Sequence, residues 1–194
     1  MKDVACVLLA GGLATRMGGG DKGLKEVGGI PIIQRVIDVV RPQVGPIVVN
    51  ANGDGNRFSS LGFDVIADSV DGFVGPLAGI LAGMDYHKKH DWMLSVPTDT
   101  PFLPDDLVKR LWQPIKDGKA EISIANSGGF DHPVIGIWPV KLKVDLRKAL
   151  VEEDIRKLKM WIKRYAFTSI EWDIEPIDPF FNANSPDDLT RLNA

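Results

Sequence analysis

The chain predicts a single-domain α/β fold: three layers, α/β/α, with helices on both faces of a Rossmann-like, mostly parallel sheet. Three observations carry that expectation. Short, apolar, β-branched runs alternate with stretches of helical periodicity along the 194 residues. The runs at Val4–Leu9, Ile47–Asn50, 64–67 and 92–96 are apolar on both faces, as strands covered by helices on both sides must be. Polar or carboxylate-bearing residues follow the runs directly, at the sheet edge where ligands bind in such folds: Asn50-Ala51-Asn52, Asp68 and Pro97-Thr98-Asp99.

The remaining elements follow in order. Helices are expected near Ile32–Val40, 55–60, 77–87 and 104–112. Pro76 and Pro104 suit the first turns of their helices, and Pro42 marks the end of an earlier one. After Gly118 come strands at 121–125 and 134–138, helices near 140–150 and 153–162, and a strand at 167–171. A terminal helix over 186–192 is expected, with Ser185 as its N-cap. No repeat or linker interrupts the pattern, so residues 1–194 read as one domain.

Composition narrows the classes. A net charge of −3 and a pI near 5.6 argue against a nucleic-acid binder, while leaving room for a local basic pocket that takes a small polyanion. The single cysteine, Cys6, lies inside the first apolar run and reads as core filler, which excludes a disulfide framework. No stretch reaches transmembrane length, and Met1-Lys2-Asp3 leads straight into a strand, so a cytoplasmic location is expected.

The segment Val4 to Gly23 is the most informative. An apolar run ends abruptly at Gly11-Gly12, and the Gly-rich loop that follows holds two cations, Arg16 and Lys22. Glycines let backbone N–H groups approach phosphate oxygens, and Arg and Lys balance the charge. The Gly-x4-Gly-Lys-Ser/Thr phosphate motif fails because Gly23 follows Lys22. Gly18, Gly20 and Gly23 formally fit Gly-x-Gly-x-x-Gly, but too far beyond the strand to pack as a dinucleotide turn. A plain connection would run about 2–6 residues, so the longer loop points to a ligand.

These residues carry a resemblance. Leu9-Ala10-Gly11-Gly12, Arg16-Met17-Gly18 and Asp21-Lys22-Gly23-Leu24 resemble the signature of nucleotidyltransferases that transfer NMP to a phosphorylated acceptor, and the Asp-Lys-Gly-Leu form resembles the molybdenum cofactor guanylyltransferase family. Val48 to Asn52, Ile66 to Ser69, Gly75 to Gly79, Pro97 to Pro101, Asp131-His132-Pro133 and Asn182 to Pro186 match in the same order. The resemblance implies a sheet of the nucleotide-diphospho-sugar transferase type. It implies that Leu9, Ala10, Gly11 and Gly12 hold GTP through backbone groups. Lys22, with Arg16, would grip phosphates, Asn50 and Asp68 would line the nucleoside site, and Asp99 would carry Mg2+. Asn182 and Asn184 would face the pterin acceptor. Ser185 stands where the family often has Thr, and Leu13-Ala14-Thr15 departs from its usual Ser or basic residues.

Each position also has a structural reading. Asp99 and Asp68 could be turn or capping residues, Gly75-Pro76-Leu77 a helix start, and the two asparagines Asx turns. His87 and His90, flanking Lys88-Lys89, read as cations at a helix C-terminus. His132 is either structural or turned to the acceptor. The cation-rich stretch from Lys141 to Arg164 reads as a solvated helix face, or as a landing surface for a pterin phosphate.

The activity implied is transfer of GMP from GTP to the terminal phosphate of molybdenum-molybdopterin, with release of pyrophosphate. A phosphate monoester with a second pKa near 6 is mostly ionised at neutral pH and needs no general base. CTP or a sugar-phosphate acceptor on the same fold, and a non-catalytic nucleotide or cofactor carrier, are the alternatives. Handover of the product implies transient contact with cofactor-delivery proteins and molybdoenzymes.

Overall fold

The structure is a computed structural model that describes residues 2–10, 21–72 and 75–183. Seven strands form one sheet: β1 (Val4–Leu9), β4 (Ile47–Asn50), β5 (Asp64–Ile66), β6 (Trp92–Pro97), β7 (Ile122–Ser127), β8 (Phe130–Pro139) and β9 (Phe167–Trp172). Their spatial order is β5-β4-β1-β6-β8-β7-β9. All run parallel except β8, which is antiparallel to both β6 and β7. A separate two-stranded ribbon, β2 (Glu26–Val27) and β3 (Ile30–Pro31), was not expected from sequence, because two-residue strands carry no readable period.

Among the described residues five α-helices cover the sheet: α1 (Ile32–Val40), α2 (Pro76–Tyr86), α3 (Leu107–Lys116), α4 (Lys143–Val151) and α5 (Leu158–Ile162). Alternation along β1 divides the core. Val4, Cys6 and Leu8 pack with α1 and α3, whereas Ala5 and Val7 pack with α2, α4 and α5. This is the expected three-layer arrangement. Burial pushes the Cys6 thiol well above its ordinary range, as befits core filler.

Several boundaries differ from expectation. The helix expected near 55–60 is a 3₁₀ helix that extends over Gly55–Leu61, opened by Asp54, whose carboxylate accepts from Asn56 N at 2.9 Å, and closed by Gly62 at φ 71°. α3 starts at Leu107, so Pro104 precedes the helix instead of sitting in its first turn, and its carbonyl accepts from Leu107 N at 3.1 Å. The predicted helix over 153–162 shrinks to α5, with Asp154 at φ 50° before it. The expected strand over 134–138 lengthens to β8, because Gly128 (φ 55°) and Gly129 (φ 79°) close a tight hairpin that pairs Ser127 with Phe130. Positive φ at both central residues is what a type I′ turn requires. The terminal helix expected over 186–192 lies outside the described residues.

His87 corrects the reading of a helix C-terminal cation. It closes α2 but is only 3% exposed, and its Nε2 donates to Cys6 O at 3.0 Å. Burial holds its imidazole below the ordinary histidine value. The unfolded chain therefore binds the proton more readily than the folded one, and stability from this site is present above the unfolded pKa and lost as pH falls. Denaturant titrations should show stability falling as pH drops below about 6.5, with a flatter dependence in His87→Gln, whose amide can still donate to Cys6 O.

Candidate active site

Register builds the site. In the parallel pairing, Leu9 of β1 stands level with Asn50 of β4 and with Pro97 of β6, and Asn50 stands level with Ile66 of β5. The residues that follow these positions therefore emerge together at the carboxyl edge of the sheet. Ladder contacts continue past the strands: Ala10 N donates to Asn50 O and Ala51 N to Ile66 O, each at 2.9 Å, and Thr98 N donates to Leu9 O at 3.3 Å.

One wall gathers around Asn50. The residue is 3% exposed, and its Nδ2 donates to Ile66 O at 3.3 Å and to Asp68 Oδ1 at 3.0 Å. Asn52 clasps the same aspartate from the other side, with Nδ2 on Asp68 Oδ2 at 2.8 Å and Oδ1 accepting from Asp68 N at 2.9 Å. Both carboxylate oxygens thus accept from amides, and the Asp68 side chain has one orientation. Helix α2 presses on this wall. A Cβ at Gly79 would meet Asn50 Oδ1 at 2.3 Å and Leu9 Cδ2 at 2.7 Å, so only a hydrogen fits there.

The facing wall holds Lys22 and Asp99. Lys22 opens a 3₁₀ turn, Lys22–Leu24, and its Nζ lies 3.8 Å from Asp99 Oδ2. Close packing sets that approach, because a Cβ at Gly23 would stand 2.8 Å from Thr98 Oγ1. Asp99 is 21% exposed at its side chain, and burial pushes its carboxyl above the ordinary carboxylate range while Lys22 opposes the shift. Among the described residues no group of three or more His, Cys, Asp or Glu side chains gathers into a cage. A half-buried carboxylate suits Mg2+, which takes most of its ligands from phosphate oxygens and water.

The chain returns to this wall from far away in sequence. Ala183 N donates to Asp99 O at 3.0 Å, which sets the exposed Asn182 beside Asp99. His132 secures the returning segment. The Ser127 hydroxyl donates to Asp178 Oδ1 at 2.8 Å and accepts from His132 Nε2 at 2.8 Å, and the His132 and Phe180 ring centroids lie 5.1 Å apart. Its neighbour Asp131 is occupied by Asn126, Ser169 and Lys159, with the Asn126 hydrogen bond foremost in holding its carboxyl down to about 2.

The structure thus brings Leu9, Ala10, Lys22, Asn50, Asp68, Asp99 and Asn182 to one edge of the sheet. Gly11, Gly12, Arg16 and Asn184 lie outside the described residues. Sequence reasoning placed Asn52 among the residues that follow a strand end and in a matching run but gave it no role, and it missed the Asp178 anchor and the restriction at Gly79. Asn52 had one signal, its place two residues beyond a strand end.

Gly79→Ala should lower stability by about 1–3 kcal/mol in urea unfolding, because Asn50 is tied to Ile66 and Asp68 and cannot yield to the new methyl group.

Comparison with known proteins identifies the family and agrees with the fold. A profile of the MobA-like NTP transferase domain matches residues 6–168. The chain is 54% identical to the molybdenum cofactor guanylyltransferase of Rhodopseudomonas palustris (strain BisB5), over 95% of this chain and 90% of that one. It is 41% identical to the molybdenum cofactor guanylyltransferase of Mesorhizobium japonicum, over 98% and 94%. Among solved structures, the molybdopterin-guanine dinucleotide biosynthesis protein A of Archaeoglobus fulgidus superposes with a TM-score of 0.75 at 21% identity, covering 98% of this chain and 97% of the other, a likeness of fold. A match of this length, joined to relatives of more than half identity, makes the chain a member of the MobA-like NTP transferase family, among the molybdenum cofactor guanylyltransferases.

Proposed function

We propose that this chain transfers GMP from GTP to the terminal phosphate of molybdenum-molybdopterin, giving the guanine dinucleotide form of the cofactor and pyrophosphate. The relatives' activity supports the reaction, and one observation supports its location: a lysine and a half-buried aspartate meet at the edge where β1, β4 and β6 end level.

In this reading the nucleoside lies along Leu9, Ala10, Asn50 and Asp68. The carboxylate of Asp68, fixed by two amides, offers acceptors of constant direction to hydroxyl or amino groups of the ligand. Lys22 faces the phosphates and, with Arg16, balances charge that builds on the departing pyrophosphate. Asp99 holds Mg2+, which when bound neutralises phosphate oxygens. Asn182, set beside Asp99 through the Ala183 amide, faces the acceptor, and Asn184 is assigned with it.

An acceptor phosphate oxygen forms the new bond to the α-phosphorus of GTP, and the bond from that phosphorus to the oxygen bridging the α- and β-phosphates breaks. The acceptor arrives already ionised, so positioning and charge balance supply the rate. Transfer of the product to cofactor-delivery proteins or molybdoenzymes belongs to the same proposal. No helix among the described residues is long and apolar enough to cross a membrane.

Asp99→Asn tests the reading. Pyrophosphate release from GTP and molybdenum-molybdopterin should fall by about 100-fold or more, since the carboxylate that would hold the phosphate-neutralising cation is lost. The ligand-free variant should be at least as stable as wild type at neutral pH. Burial raises the Asp99 pKa, so its contribution to stability is present below the unfolded pKa and lost as pH rises through the folded one. Wild-type turnover in Asp99→Asn would remove the metal and phosphate role from this residue.

A further inference from the structure

Arg57 took no part in the sequence reading, yet it links the two walls. It lies in the 3₁₀ helix Gly55–Leu61, and all three of its guanidinium nitrogens donate. Nε donates to the Asp21 carboxylate, Nη1 to the Asp54 carbonyl, and Nη2 to the Asn52 carbonyl at 2.8 Å. The guanidinium carbon stands 4.8 Å from the centroid of the Phe58 ring, and Phe58 is fully buried. The Arg57 and Asp21 side chains are 28% and 15% exposed, so the pair is partly shielded from solvent.

The two ends of this contact matter. Asp21 immediately precedes Lys22, and Asn52 is the residue whose side chain clasps Asp68. Arg57 therefore holds the start of the phosphate-facing turn and the backbone of the nucleoside-facing loop in one rigid fork. We propose that Arg57 is a positioning residue for nucleotide binding, a strap that sets the spacing between the Lys22 turn and the Asn50–Asn52 loop before GTP arrives. The proposal rests on the placement of GTP between those walls. Without the strap, the nucleotide itself must order the turn, and part of its binding free energy goes into that ordering. A lysine cannot replace it, because one ammonium lacks the planar fork that reaches three oxygens on two segments.

The test compares wild type with Arg57→Gln, Arg57→Lys, Asp21→Ala and the Arg57→Gln/Asp21→Ala double variant. The Asp21 side chain makes no capping hydrogen bond to its own turn, so its removal reports on the strap. GTP with Mg2+ is titrated calorimetrically, and KM is measured separately for GTP and for molybdenum-molybdopterin. Each single variant should weaken GTP binding about tenfold, the worth of one charge-assisted hydrogen bond. The double variant should bind no more weakly than the singles. KM for GTP should rise while KM for the acceptor stays at the wild-type value, a split that general loosening of the fold does not produce. Additive losses in the double variant, wild-type affinity in Arg57→Gln, recovery in Arg57→Lys, or an equal rise in both KM values would each overturn the strap. Wild-type protein that binds no GTP would overturn the nucleotide site itself, and the role of Arg57 with it.

Discussion

The level ending of three parallel strands is the constraint on which the site depends. Leu9, Asn50 and Pro97 share one line across β4, β1 and β6, so their following residues have no choice but to emerge side by side. A slip of one residue in either pairing would turn Asn50 or Thr98 to the opposite face. Such a slip is strongly opposed, because Ile47 and Val49 would exchange cores with Val48, or Leu94 and Val96 with Met93. The hydrophobic pattern that selects the register thus also aligns the polar groups. Burial and function are specified by the same alternation.

Rigid contacts then refine what register delivers. Asn50 is nearly sealed from solvent, bonded to Ile66 and Asp68, and pressed by α2 at Gly79. Gly23 lets the Lys22 turn close on Thr98, directly before Asp99. The Ala183 amide draws the C-terminal segment onto Asp99, and the Ser127–His132–Asp178 cluster holds that segment in place. A site that binds a highly charged triphosphate benefits from walls fixed in advance, since little ordering remains to oppose binding.

Local signals made much of this legible. The runs that became β1 and β4 were bounded correctly, and α1 and the N-terminus of α2 were placed by periodicity and by Pro76. The residues that meet at the edge, Leu9, Lys22, Asn50, Asp68 and Asp99, all follow or end apolar runs, or sit in the Gly-rich loop. Interactions between distant segments left no such trace. Arg57 and Asp21 are 36 residues apart, and nothing in either neighbourhood announces the other. His87 looked like a solvated cation among lysines because its burial against Cys6 arises from packing across the sheet. The full length of β8 and its reversed direction depend on a hairpin whose glycines were visible but whose pairing was not.

In the proposed function a guanine nucleotide spans the two walls at the carboxyl ends of β1, β4 and β6. A crystal structure of the protein soaked with GTP and Mg2+ tests it most directly. The nucleoside is expected against Asn50 and Asp68, the phosphates at Lys22, and the metal on Asp99. Density for the nucleotide elsewhere on the molecule, with Lys22 and Asp99 touching neither phosphate nor metal, would contradict it.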